Sequence, residues 1–428
     1  MRLCHPSPPP NRLPPPREVA QAPDLARPSG TALAARGALN HIPCVPEPIA
    51  LYVHWPFCAA RCPYCDFNAH VRDRLDQAGW RAAILADLAF EAERLGPRPL
   101  ASLFFGGGTP SLMEPESAAA VIAAALRAFP AEAEPEITLE ANPTSVELGR
   151  LAAFRDAGVN RVSLGIQALD DAALAFLGRR HSAAQALDAL ALARRLFPRA
   201  SFDLIYARPG QTVAAWRGEL RRALAEGLDH LSLYQLTIEP GTPFARLAAR
   251  GELALPDDAT GAALYEATVE AAARAGLAPY EVSNFARPGA ESRHNLAYWA
   301  YADHAGIGPG AHGRVTRGEA MVATARIRSP EAWMAAVATK GHGLREEEAL
   351  SPEARAREML LMGLRLARGV DPVRFEKRTT IPLAEALDQS ALAMAVAEGW
   401  LAWREDGALA ATDRGRLRLD ALLPALLR

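Results

Sequence analysis

Lysine is almost absent from this 428-residue chain, which contains only Lys340 and Lys377. Its 47 basic residues are therefore nearly all arginine, so a single arginine indicates a site only where its position is special. With 49 acidic residues, the formal net charge is -2. This balance argues against a general binder of nucleic acid or of anionic membranes, because those partners are usually met by a strong basic excess.

Long apolar runs are missing as well. No stretch approaches the roughly 20 consecutive apolar residues that a membrane-spanning helix needs. The N-terminus also lacks the basic-then-apolar pattern of a secretory signal. Because 50% of the residues are hydrophobic, the chain can build one large domain and a smaller one. We therefore expect a globular protein located in the cytoplasm.

Cysteine is scarce, and three of the five cysteines fall within eight positions, at Cys58, Cys62 and Cys65. A disulfide framework is unnecessary in so large a core and would leave one thiol over. Clustered thiols in a cytosolic chain favour a metal centre instead. Cys4 and Cys44 are assigned no role.

Composition divides the chain into four parts. Residues 1–46 are rich in Pro, Arg and Ala without a periodic apolar face, which predicts a disordered extension. Two other interpretations of this extension are a transit peptide and a start codon assigned too far upstream. The main domain is predicted over 47–313, a connecting segment over 314–351, and a C-terminal domain over 352–428.

Six short apolar runs alternate with Ala- and Leu-rich stretches in the main domain. The predicted strands are Leu51–Val53, Leu103–Phe105, Ile137–Leu139, Arg161–Leu164, Phe202–Ile205 and Leu231–Tyr234, and predicted helices include Trp80–Leu95, Ser117–Phe129 and Ala183–Leu196. This βα alternation is typical of a parallel sheet. The fold class is therefore α/β, a partial TIM-like (β/α)6 barrel.

The C-terminal segment has a different pattern. Helices are predicted around Glu358–Leu366 and over Leu383–Ala397, and Asp406-Gly407 then separates two apolar runs as a hairpin turn. The order of these elements is winged-helix-like. Residues 352–428 contain twelve Arg and Lys against eleven Asp and Glu, a surplus too small for a DNA-reading module. We interpret this segment as a packing domain.

The spacing of the clustered cysteines, three and then two residues apart in a loop after a strand, can turn three thiolates towards one point. Thiolates select iron-sulfur clusters or zinc, and a cubane with three protein ligands keeps one iron free for an added chelate. The alternative is structural zinc, with His54 or His70 as the fourth ligand.

Polar and glycine residues follow several strands, where barrel enzymes assemble their sites. Gly106-Gly107-Gly108 directly follow a strand, and glycine lets a ligand touch the backbone. Glu140 and Gln167 follow two successive strands, and Asp203 lies within the next one. Each alone is explained by an ordinary buried hydrogen bond, but their recurrence favours one shared ligand.

The Cys-x3-Cys-x2-Cys motif, with an aromatic residue before its third cysteine, resembles the signature of the radical S-adenosylmethionine superfamily, over about residues 47–313. The resemblance implies a 4Fe-4S cluster on the three cysteines, with S-adenosylmethionine bound to the remaining iron. It also implies a pocket lined by Tyr52, Tyr64, Gly107, Gly108, Thr109, Glu140, Gln167, Arg179 and Asp203. Arg179 would grip the methionine carboxylate with two hydrogen bonds, although the adjacent Arg180 remains an alternative.

Four further segments resemble the coproporphyrinogen-dehydrogenase-like branch, and within it the HemW-type haem chaperones. These segments are Gly106–Leu112, Glu140–Pro143, Tyr234–Pro240 and His294–Trp299. Two features separate the chain from the dehydrogenases. Phe67 stands where they add a cysteine, and His294-Asn295-x-x-Tyr298-Trp299 matches the haem motif of the chaperones. An unordered extension over 1–46 also favours a chaperone, because the dehydrogenases carry an ordered arm.

The resemblance implies that the chain binds haem at His294, covalently or as an axial ligand, and passes it to haemoproteins, including membrane-associated ones. The resemblance leaves open whether the chain forms a homodimer, and it implies no binding to nucleic acid. The competing hypothesis is an oxygen-independent coproporphyrinogen III dehydrogenase, which decarboxylates two propionates. A third is another radical enzyme on the same scaffold, which would give His294 no haem to bind.

Overall fold

A computed structural model of the chain describes residues 47–131 and 133–427. The extension predicted over 1–46 lies outside the described residues. Within the described part, no helix is both long and apolar enough to cross a membrane.

The described part of the chain contains sixteen strands, and twelve of them form one large sheet. The strands are β1 Ile49–Trp55, β2 Phe57–Cys58, β3 His70–Val71, β4 Leu100–Gly107, β5 Glu136–Ala141, β6 Arg161–Gln167, β7 Arg199–Tyr206, β8 His230–Gln235, β9 Ala278–Pro279, β10 Asn284–Ala286, β11 His304–Ile307, β12 His312–Arg317, β13 Ala320–Arg326, β14 Leu344–Ala349, β15 Leu401–Trp403 and β16 Leu409–Ala411. The large sheet runs in the order β14-β13-β12-β11-β1-β4-β5-β6-β7-β8-β10-β9. Its centre, β1 and β4 to β8, is parallel throughout. All six predicted strands are present, and the α/β fold class is confirmed.

The remaining strands extend this parallel centre on both sides. Strand β11 pairs in parallel with β1. Strands β12, β13 and β14 then continue the sheet as antiparallel neighbours. Most of these lie in residues 314–351, so the predicted connecting segment contributes strands to the sheet. The domain boundaries at 313 and 351 stay predictions.

Helices cover the strands, and many of them begin at a residue whose side chain accepts a hydrogen bond from a backbone amide of the first turn. Their bounds are α1 Gln77–Leu95, α2 Pro115–Ala128, α3 Ser145–Leu148, α4 Leu151–Asp156, α5 Asp171–Phe176, α6 Ala183–Leu196, α7 Val213–Ala225, α8 Pro243–Ala249, α9 Asp258–Arg274, α10 Arg293–Trp299, α11 Pro330–Lys340, α12 Pro352–Gly363, α13 Pro372–Thr379, α14 Leu383–Ala386, α15 Gln389–Ala397, α16 Asp413–Arg416 and α17 Leu419–Leu426, with a 3-10 turn at Pro110–Leu112. Helix α6 has the predicted bounds because Ser182 and Gln185 form a capping box at its start. The other two predicted helices are displaced by at most three residues at either end.

The two faces of the central strands differ in chemistry. On β6, Val162, Leu164 and Ile166 have no exposed surface and belong to the main hydrophobic core. The alternate residues, such as Arg161 and Ser163, are buried but polar. Because side chains alternate along a strand, the barrel interior is polar while the outer face packs under the helices. This polar interior is where the predicted ligands meet.

The C-terminal segment forms most of a second hydrophobic core, which also includes Trp299, Tyr301 and Met321. The predicted hairpin is confirmed, because β15 and β16 pair as antiparallel strands. The single helix predicted over Leu383–Ala397 is wrong, since it is broken into α14 and α15. The break occurs because the Asp388 side chain accepts a hydrogen bond from the amide of Ala391 and caps a new helix.

Candidate functional site

The three clustered cysteines lie together above the barrel as half-buried free thiols. Cys58 ends β2, and the amide of Cys65 donates to the carbonyl of Cys62 over 3.2 Å. Thr109 Oγ1 donates to Cys58 Sγ over 3.4 Å, and Arg179 Nη1 donates to Cys62 Sγ over 3.4 Å. The cysteine loop is therefore tied to the glycine-rich turn after β4 and to the region beyond β6.

Burial controls the ionisation of these thiols. It raises the pKa of Cys58 to about 11 and raises that of Cys65 as well. A bound metal lowers the pKa of the thiols again, because metal coordination deprotonates a thiol outright. Donors from Arg179 and Thr109 favour the same thiolate form. The residues thus suit a cluster with sulfur ligands.

The zinc alternative fits less well. His54 Nε2 donates to the carbonyl of Asn68 over 3.0 Å, and Tyr52 OH lies 3.0 Å from His54 Nδ1. Both nitrogens of His54 are therefore engaged and cannot supply a fourth ligand. Among the residues that the structure describes, no three His, Cys, Asp or Glu side chains are grouped for a single metal ion, and this includes the three cysteines themselves, so the finding does not separate zinc from an iron-sulfur cluster.

The glycine-rich turn brings backbone close to the cysteine loop. A Cβ on Gly108 would lie 2.6 Å from the carbonyl oxygen of Phe57, so no larger residue fits. Gly107 has φ of 112°, a conformation open to glycine but rarely to other residues. Its amide donates to Glu140 Oε2 over 3.3 Å. The turn thus packs directly between the cysteines and the acidic end of β5.

Two carboxyl groups in this interior hold protons unusually tightly. Burial, reinforced by the charge of Asp203, raises the pKa of Glu140 to about 7. Burial also raises the pKa of Asp203 to about 6, although Ser163 donates a hydrogen bond to it over 3.3 Å. A cationic ligand would lower the pKa of both carboxyl groups, because it favours their ionised forms. The pair therefore suits a ligand with an amino or sulfonium charge.

The structure distinguishes the two neighbouring arginines. Arg180 is exposed, whereas Arg179 points inwards and donates to Asn142 Oδ1 and, over 2.6 Å, to the carbonyl of Gly165. Arg179 Nε is buried without a hydrogen-bond partner among the described residues. Since an unpaired buried donor is costly, this nitrogen has capacity for a ligand carboxylate.

The other predicted pocket residues lie nearby. Gln167 ends β6 with φ of 75°, a strained conformation of the kind that clusters at functional sites. The ring of Tyr64 packs against Phe244, and burial raises the pKa of its hydroxyl above the usual value. Asn142 was missed by sequence reasoning, although it donates to Thr109 Oγ1 over 3.0 Å and accepts from Arg179. Its place just after β5, two residues beyond Glu140, was the available signal.

His294 lies in the same barrel interior, on the short helix α10. Its ring is 6.3 Å from that of Tyr52 and 4.9 Å from that of Phe104, centroid to centroid. Only 9% of the residue is exposed, and burial lowers its pKa to about 3. The imidazole is therefore neutral, which is the form that binds iron.

The aromatic residues of the haem motif point elsewhere. Trp299 is 8% exposed and belongs to the C-terminal core, where the Arg365 guanidinium lies 5.0 Å from its ring. Tyr298 packs against His304, with centroids 5.2 Å apart. Trp299 thus packs the two parts of the chain together, and its buried ring does not offer a flat face to a porphyrin.

Comparison with known proteins agrees with this geometry. Residues 52–223 match the Radical SAM superfamily, and residues 350–418 match the HemN C-terminal domain. The chain is 34% identical to the "Heme chaperone HemW" of Escherichia coli, over 89% of this chain and 98% of that protein. The chain belongs to the HemW family of the radical SAM superfamily. Its superfamily is one whose members hold a 4Fe-4S cluster and S-adenosylmethionine.

The chain is also similar to eukaryotic proteins. The bovine "Radical S-adenosyl methionine domain-containing protein 1, mitochondrial" is 41% identical over 88% of this chain and 87% of that protein. Among solved structures, coproporphyrinogen III oxidase (HemN) from Escherichia coli matches with a TM-score of 0.73 over 89% of this chain and 90% of that one. At 23% identity, that match supports the fold alone.

Proposed function

We propose that this protein is a haem chaperone, which binds haem at His294 and delivers it to haemoproteins such as respiratory enzymes. The observation that carries the proposal is the likeness to "Heme chaperone HemW" over 98% of that protein's length. A neutral, buried His294 inside the barrel supports the ligand role. Haem acceptors, membrane-associated ones among them, and a homodimer belong to the same proposal.

In this proposal Cys58, Cys62 and Cys65 hold the 4Fe-4S cluster. S-adenosylmethionine lies against Tyr52, Tyr64, Gly107, Gly108, Thr109, Glu140, Gln167, Arg179 and Asp203. A reduced cluster held there would supply the electron for reductive cleavage of S-adenosylmethionine. The chain's own residues would orient the ligand: Arg179 would take its carboxylate, and Glu140 and Asp203 would face its positive charge. The turn at Gly108 packs closely against the backbone of Phe57 beside the cysteine loop.

The cytoplasmic location is likewise proposed from sequence alone. The bovine relative is named as mitochondrial. Fractionation of cells expressing the full chain would decide between the two compartments.

The test of the haem proposal is an anaerobic haem titration of the reconstituted protein, followed by the Soret band and by haem retention through denaturing gels. We expect stoichiometric binding that His294→Ala abolishes. The matched control is His312→Ala, because His312 is an exposed histidine on β12. Equal binding by wild type and His294→Ala would overturn the assignment of the ligand.

If the wild type binds no haem, the chaperone proposal fails. The protein should then be incubated with coproporphyrinogen III, S-adenosylmethionine and reductant without oxygen. Formation of protoporphyrinogen IX would establish the dehydrogenase alternative.

A further inference from the structure

The His294 ring has one nitrogen already engaged. Its Nδ1 lies 3.0 Å from the hydroxyl oxygen of Ser102, which has no exposed surface on β4. The ring also packs against Phe104, two residues further along the same strand. Iron coordination therefore falls to the second nitrogen, Nε2.

The main chain that carries this ring is fixed at both ends of α10. At the start, Glu136 Oε1 accepts from the amide of His294 over 3.1 Å and from Ser292 Oγ over 3.3 Å. Glu136 is itself held by an ion pair with Arg199. At the other end, Trp299 is buried in the C-terminal core. With the helix fixed, the orientation of the imidazole depends on what its ring touches.

A serine hydroxyl can accept a hydrogen bond from an imidazole nitrogen or donate one to it, and the ring tautomer determines which of the two occurs. A histidine that ligates a metal usually donates its other N–H to an oxygen, which fixes the tautomer and makes the ligand more basic. Ser102 offers such an oxygen at hydrogen-bond distance, from a strand whose position the sheet determines.

We propose that Ser102 is the positioning residue of the haem ligand: its hydroxyl oxygen accepts Nδ1–H of His294 and leaves the Nε2 lone pair for iron. This inference rests on haem binding at His294, the proposed function. It goes further by naming the residue that selects the tautomer and tunes the strength of the iron bond.

The test compares three substitutions. Ser102→Ala removes the hydroxyl, and Ser102→Cys keeps a side chain of similar size with a much weaker acceptor. The matched control is Ser117→Ala, because Ser117 is 1% exposed in α2 and its hydroxyl has no hydrogen-bond partner in the described part of the chain. Thermal unfolding of each variant checks the fold, and Ser102→Cys serves if the alanine variant does not fold.

Two measurements read the tautomer and the bond separately. In the haem-free protein, nitrogen NMR of labelled histidine, assigned with His294→Ala, should show Nδ1 protonated in wild type and a mixture of tautomers in Ser102→Ala. In the ferrous haem complex, resonance Raman should show a lower iron–histidine stretching frequency in Ser102→Ala, an intermediate one in Ser102→Cys and no change in Ser117→Ala. Loss of a partner of this kind typically weakens metal binding by roughly 10- to 100-fold, which we expect for haem.

The outcomes are distinguishable. If wild type binds haem through His294 and Ser102→Ala matches it in both spectra, the inference is overturned while the proposed function stands. An Nε2-protonated tautomer in the haem-free wild type would also overturn it. If wild type binds no haem, the proposed function fails and the ligand-positioning role fails with it.

Discussion

Arg179 donates one guanidinium nitrogen to the sulfur of Cys62 and another to the side chain of Asn142. One residue thus joins the cysteine loop to the carboxyl ends of β5 and β6. The neighbouring Arg180 is exposed and takes no part in this connection.

Arg179→Lys should weaken binding of S-adenosylmethionine by roughly tenfold to a hundredfold, because an ammonium cannot reproduce a two-pronged guanidinium contact. Anaerobic calorimetry on the cluster-loaded protein measures this. Arg180→Lys is the matched control and should leave the affinity unchanged. A larger loss in the Arg180 variant would contradict the assignment.

Replacing Cys58, Cys62 or Cys65 with Ala should abolish the visible absorbance of the reconstituted 4Fe-4S cluster, since our proposal makes each thiolate a ligand of the cluster. Iron and sulfide analysis after anaerobic reconstitution checks the result. Cys44→Ala should retain full cluster content. A cluster that survives loss of one of the three would show that another residue replaces it.

The raised pKa values of Glu140 and Asp203, about 7 and about 6, make stability depend on pH. The folded protein binds these protons more tightly than the unfolded chain does. The stability that the two protonated carboxyl groups contribute is therefore fully present below about pH 4. Stability should therefore fall as pH rises from about 4 through about 7, by an amount on the order of 3 kcal/mol for Glu140. Glu140→Gln should flatten that slope in urea unfolding across this range. An unchanged slope would show that other groups titrate there.

The affinity for S-adenosylmethionine should depend on pH through the ionisation of the same carboxyl groups. Ionised Glu140 attracts the positive charge of S-adenosylmethionine, so the affinity should increase between about pH 6 and 8. The increase should disappear in Glu140→Gln. Calorimetry at constant ionic strength provides the measurement, and a pH-independent wild type would count against the contact.

Glu136 is 2% exposed, and Arg161, Arg199 and the His294 amide hold its pKa below the usual range although burial opposes them. Glu136→Ala leaves Arg199 without its partner and should destabilise the fold by roughly 3–5 kcal/mol, with faster haem loss. Urea unfolding and haem transfer to apomyoglobin measure the two effects. The exposed Glu134 provides the control, since Glu134→Ala should stay within about 1 kcal/mol of wild type.

The six central strands were predictable because buried parallel strands read as continuous apolar runs. The polar ends of those strands also indicated Glu140 and Asp203 correctly as neighbours. Ser102 was not found, because a single small polar residue in a strand gives no pattern until its partner is known. Asn142 was missed although it directly follows β5. The break before α15 was missed for a related reason: Asp388 inside an apolar run acts as a cap only when the turn before it forms.

Strands β12 to β14 were not predicted from the sequence, because they depend on pairing within the sheet. Their sequence predicts little, and their place depends on joining a sheet edge that β11 creates beside β1. Choosing between Arg179 and Arg180 likewise required the structure, since adjacent residues on a short turn face opposite directions.

The position of Trp299 limits how the protein can be divided into separate domains. The helix that presents His294 to the barrel also supplies an indole to the C-terminal core, so the two regions share one structural element. A chimera that exchanges only residues 352–428 would keep its barrel sequence and still shift the histidine. The C-terminal segment is therefore not an interchangeable module, and gene fusions or truncations at that boundary would alter ligand geometry at a distance.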